Sequence, residues 1–404
     1  MNQRPPRTHD DPGSMHGTLL AVALLMIALL LAPKANADNG ANPLERTGQG
    51  GNNQAQQAGP PEWVVPGARF TQYGATAQGS REVKPERVSG AAGTSFVQYD
   101  VVAVTEVGVV IESRIYMETG PNTPAQLTNT NTALVDHATG GGLWMRPADI
   151  AAEQPTTDEN AATKIEKGPY EIDGDTYDAI YYTTRQGNTT QRRVYDQRTG
   201  IQLYQSDLTE DTQNRSHAYT EYVGYRVAQL PWIGTEFTQQ IQGLTKLTYR
   251  GELVSVMPPA PDLNMPDLRY GFEAEIAFQA VTPHLIGVNI AFELDMPQGP
   301  DQTNEKRDLV APGQRLGLYI HPDVLSRLEN GQVLDEDPAI GYRIVVTDVY
   351  QVQGVTLVEI TEQGRGNCYY NKATYDASVG LQVASEWTQP AMSQRIESQL
   401  DAVE

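Results

Sequence analysis

From Val109 to Met117 the chain alternates. Val109, Ile111, Ser113, Ile115 and Met117 share one side of an extended backbone, and Glu112, Arg114 and Tyr116 share the other. A period of two marks a strand with one buried and one wet face. With Phe96–Val107, across Gly108, it predicts a hairpin. A cleaner version follows at Val288, Ile290, Phe292, Leu294 and Met296. Those five, with Ile111, Ile115 and Met117, are the candidates for a core or for a face turned to an apolar ligand.

The recurrence extends further. Tyr170, Gly174, Thr176, Ile180, Arg185, Tyr195, Asp196, Gly200 and Gln202 reappear, 180 positions on, as Tyr350, Gly354, Thr356, Ile360, Arg365, Tyr375, Asp376, Gly380 and Gln382. Gly108, Val109, Ile111 and Met117 match Gly287, Val288, Ile290 and Met296 at an offset of 179. Gly142-Leu143-Trp144 then Pro147 match Gly317-Leu318-Tyr319 then Pro322 at 175, and a short helix is expected after each proline. Trp63 and Trp232 mark the two starts. The chain therefore reads as an internal duplication, with unit one at 62–228, unit two at 229–391, and a tail at 392–404 that is a short helix or frayed. Hairpin-linked strands with one short helix apiece predict a mainly β protein: two tandem, related, antiparallel, curved-sheet (half-barrel-like) domains. A chain of 404 residues allows two such cores.

The N-terminus changes the picture of where it works. Arg4 and Arg7 precede an apolar run from Leu19 to Ala32, and Ala35-Asn36-Ala37 supplies the small residues of a cleavage site. The run is shorter than the roughly 20 residues of a spanning helix. A signal peptide at 1–37, cut after Ala37, is expected, with no transmembrane span after processing. Residues 38–61 are rich in Gly, Asn, Gln and Pro and read as a disordered leader. Cys368 is the single cysteine, so no internal disulfide is possible. Together these point to a bacterial periplasmic or secreted protein. The formal net charge of −21 opposes nucleic acid and anionic membrane surfaces as partners.

The strand, Tyr-Asp-x-x-x-Gly turn and following apolar strand within Tyr170–Ser206 and Tyr350–Glu386 resemble periplasmic lipoprotein-carrier-like half-barrel families. The resemblance implies an incomplete barrel wrapped around a helix and holding acyl chains. It carries over no binding residue, and this chain departs from it by lacking a long apolar helix.

Catalytic chemistry is not visible. His137, His217, His284 and His321 lie at no metal-ligand spacing from one another, and no serine occupies a nucleophile elbow. The acidic residues Glu171, Asp173, Asp175 and Asp178 crowd one turn, without the spacing of a calcium loop. No catalytic residue, metal ligand or cofactor is assigned. Tyr181 and Tyr182 must point to opposite faces, and with Trp144 they form a possible interface. The function expected is an exported, non-enzymatic binding protein that takes a lipid or other apolar ligand, or an envelope protein, on curved sheets. A structural module of an envelope or extracellular assembly is the alternative, and a secreted hydrolase the second.

Overall fold

The computed structural model describes residues 59–80, 94–118, 123–158, 161–210, 214–255, 267–295, 302–389 and 394–404. The expected signal peptide, nearly all of the leader, and Met296 lie outside them. The protein is mainly β, with two open antiparallel sheets and a few short helices. The first sheet contains β1 (Ala68–Ser80), β2 (Thr94–Thr105), β3 (Gly108–Glu118), β4 (Gln126–Val135), β5 (Thr163–Ile172), β6 (Asp175–Gln186), β7 (Thr189–Asp196), β8 (Gln202–Glu210) and β9 (Asn214–Val227). The second contains β10 (Lys246–Ser255), β11 (Leu268–Val281), β12 (Ile286–Leu294), β13 (Gln302–Val310), β14 (Val333–Asp337), β15 (Tyr342–Val352), β16 (Val355–Gly364), β17 (Tyr370–Asp376), β18 (Gln382–Gln389) and β19 (Gln394–Val403).

Strand order is β4-β3-β2-β1-β9-β8-β7-β6-β5 in one sheet and β13-β12-β11-β10-β19-β18-β17-β16-β15-β14 in the other. One plan is used twice, with β14 added at an edge. In each sheet the first strand lies centrally and pairs with the last. Between the fourth and fifth strands the chain leaves the sheet and returns as a plug that carries a short helix, α1 (Pro147–Ala152), or its counterpart α3 (Pro322–Leu325). Another short helix, α2 (Gln239–Gln242), precedes β10.

The plugs are fixed alike. Trp144 bridges to Ile201 and Tyr319 to Leu381. The Met145 and Ile320 amides donate to the carbonyls of Gly200 and Gly380 at 2.9 and 3.0 Å. The Tyr195 and Tyr375 hydroxyls donate to the carbonyls of Gly142 and Gly317 at 3.0 and 2.8 Å. These contacts explain the repeated glycine. Gly200 has φ of 76°, and a Cβ there would stand 1.8 Å from the Met145 carbonyl oxygen. Only glycine permits both.

Three expectations need correction. The tail is a strand: β19 pairs with β10 on one side and β18 on the other. Ile396, Leu400 and Val403 recur at helical spacing, but the backbone groups of the flanking strands decide the outcome. Trp232 is not the counterpart of Trp63. Trp63 meets the plug ring Trp144 edge-on at 5.7 Å, whereas Phe237 meets Tyr319, at 5.1 Å. The third correction concerns the wet face of β3. Glu112, Arg114 and Tyr116 are all buried, because the second unit covers them.

That cover holds the two units together. Tyr116, Ala125 and Leu127 pack into one cluster with Ile320, Tyr342, Ile344, Ile360, Tyr369 and Tyr375. Val102 and Val110 meet Leu285, Leu309 and Ala311. Among these lie the guanidiniums of Arg69, Arg114 and Arg315, with Arg226 at the rim. Arg69 clasps Asp100 through two nitrogens and donates to Asp335 and to the Tyr342 hydroxyl. Arg315 donates to Asp100, Gln98 and the Tyr116 hydroxyl at 2.7–2.9 Å, and stands 4.7 Å over the Tyr342 ring. Glu362 accepts from Arg114, Tyr116 and Tyr369. Arg226 pairs with Asp335 at 2.8 Å. Burial alone would raise the Asp100 carboxyl, but Arg69 and Arg315 outweigh it and hold it below the usual range. Asp335 is likewise lowered, chiefly by Arg69 and Arg226 against its burial.

Desolvation takes back most of what such pairs gain, but removing one partner leaves a bare buried charge, at roughly 3–5 kcal/mol. Arg69→Met is therefore expected to lower unfolding stability in urea by about 3–5 kcal/mol. Lys246, at the equivalent place in β10, is solvent-facing, and Lys246→Met is expected to change little; equal losses would contradict the account. Asp100 and Asp335 are lowered in the folded state, so their contribution is complete above the unfolded carboxylate value of about 4 and is lost as pH falls below it. Urea midpoints measured from neutral pH into acid should stay level and then fall in that window, and Asp100→Asn should flatten the fall.

Candidate functional site

On β5–β9 the two faces of the first sheet do different work. One packs on the plug: Ile180 and Tyr195 enclose Ile150 of α1, with Met145, Ile165 and Tyr182 around them. The other carries aromatic rings. Tyr170 lies 6.2 Å from Tyr181 and 6.1 Å from Tyr204, Tyr204 is 6.2 Å from Tyr219, and Tyr219 stacks on His217 at 5.6 Å. The Arg192 guanidinium sits 5.0 Å over the Tyr181 ring. Tyr170 belongs to the edge strand β5, yet its hydroxyl donates to Glu221 of β9 at 3.1 Å. Four strand spacings in a flat sheet are about 19 Å, beyond the reach of these two side chains. The sheet curls, and the ring-lined face is its hollow side.

Burial, with help from Glu221, pushes the Tyr170 phenol up. Burial also pushes Tyr222 up to about 12 and raises Tyr181 and Tyr219. These raised phenols are neutral at neutral pH, and Arg192, Glu221 and the Lys164–Glu166 pair are charged groups on the same face.

The duplication supplies an internal comparison. Val194 pairs with Tyr181 on one side and Tyr204 on the other; in the second sheet Thr374 pairs with Glu359 and Ala384. Ser206 opposite Tyr219 becomes Glu386 opposite Glu397. There Lys372 bridges Glu359 and Glu386 at 3.5 and 3.0 Å, and Arg395 joins Glu386 at 2.8 Å. The same curled face is an ion-pair ladder in one unit and an aromatic ladder in the other. The fold does not require the tyrosines.

On the plug side, a cleft of about 390 Å³ opens among Thr139, Gly142, Met145, Tyr182, Arg193 and Tyr195. The Tyr182 hydroxyl is shut off from solvent and has no partner. Among the described residues Arg193 hydrogen-bonds with the Tyr195 phenol and meets no carboxylate. A smaller hollow of about 160 Å³ is lined by Ser95, Gln205, Asp207 and Thr220.

Neither hollow is lined by the apolar strand faces. Val288 is enclosed with Phe237, Leu247 and Tyr319, and Ile290 packs against that cluster. Phe292 stacks on Phe272 at 5.1 Å, and Leu294 is buried. Ile111 is enclosed beside Trp144, Ile115 is half-buried, and Met117 is exposed. Trp144, weighed as an interface residue, is instead fully enclosed, because the plug needs a large ring at its centre. Tyr181 and Tyr182 do part to opposite faces, one to the ladder and the other to the cleft.

His137 meets the Thr105 carbonyl, His217 stacks in the ladder, His284 lies 3.6 Å from Glu236 at the surface, and His321 caps α3. No histidine lines either hollow. Cys368 lies against the Ala125 carbonyl where the units meet, and burial raises its thiol. Among the described residues no group of three or more metal-capable side chains gathers, and no helix is long and apolar enough to cross a membrane. Tyr204, Tyr219 and Arg193 were not singled out from the sequence; reading one repeat against the other at those positions is the signal that finds them.

No known family pattern matches the chain, and no curated protein matches it. Among solved structures it is similar to the complex structure of Pseudomonas aeruginosa MucA/MucB, at 11% identity over 84% of this chain and 90% of that chain, with a TM-score of 0.22. A likeness that low carries no argument about function.

Proposed function

We propose that this protein is an exported, non-enzymatic binding module that holds a protein partner on the curled, tyrosine-lined face of its first unit. One observation carries the reading: in the aromatic ladder, Tyr181 and Tyr219 stand where the duplicate unit has Glu359 and Glu397, beside the half-buried Lys372–Glu386 ion pair. Tyrosine offers a large contact area with little side-chain entropy to lose and a hydroxyl for hydrogen bonding, which suits it to protein interfaces. Arg192 and Glu221 give the hollow its polar anchors. The lipid-carrier version has less support, since the apolar faces it needs are filled by the chain's own Phe237, Tyr319 and Trp144. Export rests on the N-terminal sequence alone.

Photocrosslinking in the producing cell separates a partner surface from a merely aromatic one. Benzoylphenylalanine in place of Tyr219 should give a discrete protein adduct, and the same probe at Glu397, its counterpart in β19, should give none. With the partner identified and purified, Tyr204→Ala and Tyr219→Ala should each weaken binding by roughly tenfold or more. Adducts of equal yield from both positions, or undiminished binding by both variants, would sink the reading. Export has its own check. The chain recovered outside the cytoplasm should begin at Asp38, and an intact N-terminus would contradict cleavage.

A further inference from the structure

The cleft beside Tyr182 has an occupied twin. Pairing across the hairpins places it: Tyr182 opposite Arg193, and Thr184 opposite Gln191, correspond to Ile360 opposite Ala373, and Glu362 opposite Asn371. In the second unit these positions are the floor on which the first unit docks, with Tyr116, Ala125 and Leu127 seated on Ile344, Ile360 and Ala373 and the Tyr116 hydroxyl donating to Glu362. In the first unit the floor is bare. Arg193 and Gln191 are exposed, and Tyr182 and Thr184 half-exposed.

The docking face has a bare twin as well. The hydroxyl of Thr105 closes its turn on the Gly108 carbonyl and that of Thr282 closes on Leu285, so β3 and β12 correspond at an offset of 177. Asp100, Glu112, Arg114 and Tyr116 then answer to Ala277, Asn289, Ala291 and Glu293, which are exposed or half-exposed. Arg315 of the second plug answers to Gly140. Arg69 answers to Lys246, which is already paired with Glu275 and Glu404, and the charges of Asp100, Glu112, Arg114, Arg315 and Glu362 are missing from both bare faces together, so bringing those faces into contact would strand no member of a broken network. Two changes run the other way. Tyr116 becomes Glu293, and Ala373 becomes Arg193. Neither Glu293 nor Arg193 has an ion-pair partner among the described residues.

We infer that the protein associates head to tail with a second copy of itself: the Glu293 face of one chain seats in the Arg193–Tyr182 cleft of the next. The contact repeats between chains the arrangement already present within one. A carboxylate arriving at that site meets the exposed guanidinium of Arg193, a donor. Because the two faces differ, the association is heterologous, giving a ring if the rotation closes and an open chain if it does not. It uses the side of the sheet opposite the tyrosine ladder and does not rest on the partner reading.

Sedimentation of the purified protein over a concentration series tests the inference through a charge exchange. The native chain should associate in a concentration-dependent way, more weakly at high salt. Arg193→Glu and Glu293→Arg should each weaken association at least tenfold, and the chain carrying both should regain most of it. Thermal melts of all three variants should match the native protein, since both positions face solvent in the single chain. A monomer at all concentrations, an oligomer indifferent to both single reversals, or a double variant no better than the singles would overturn it.

Discussion

Everything in this protein depends on charge being hidden where its two halves meet. Arg69, Arg114 and Arg315 lose water on assembly; Asp100 and Glu112 partner the first two within their own unit, and the rest of their hydrogen bonds form only if the units meet in one register: Asp335 beside Arg69, Glu362 beside Arg114, the Arg315 backbone amide beside Glu112. An apolar seam would hold as tightly and tolerate sliding. A seam of guanidiniums and carboxylates does not, because a displacement of a few ångströms leaves a buried ion bare. Its value lies in fixing the placement of the two sheets more than in added stability. Tyr116 and Tyr342, stacked at 5.5 Å, show how aromatic packing and charge share the same space.

A duplicated chain that docks on itself must treat its copies unequally. The first unit gives up one face of β2–β4 to the contact, and the second gives up the plug side of β15–β17. What remains uncovered in each copy was free to diverge. On β5–β9 the curled face took on tyrosines, and on β15–β19 it took on Lys372, Glu386 and Arg395. An ion-pair ladder keeps a surface wet, and a run of half-buried phenols does the reverse. The functional reading follows from that contrast.

Much of the architecture was legible because β structure repeats every two residues. The sequence match of Gly108 with Gly287 misses the structural correspondence by two, and the pairing of β6 with β7 differs by two from that of β16 with β17. Even slips leave every side chain on its proper face, so the faces were right where the partners were not. The polar side of β3 was misjudged for a different cause. Glu112 and Arg114 look like a solvated face until Arg315 and Glu362 are brought up, more than 200 positions away. No local pattern carries that information. The last strand was obscured by Ile396, Leu400 and Val403, whose spacing imitates a helix. Of the candidate site, the parting of Tyr181 and Tyr182 was legible from alternation alone. The cleft was not, since it combines a plug loop with three strands.

If the buried network binds the halves as described, they must unfold as one. Differential scanning calorimetry at neutral pH measures this directly, through the ratio of van't Hoff to calorimetric enthalpy. The account expects a single transition with a ratio near one. Two resolved transitions, each with the enthalpy of a separate half, would contradict it.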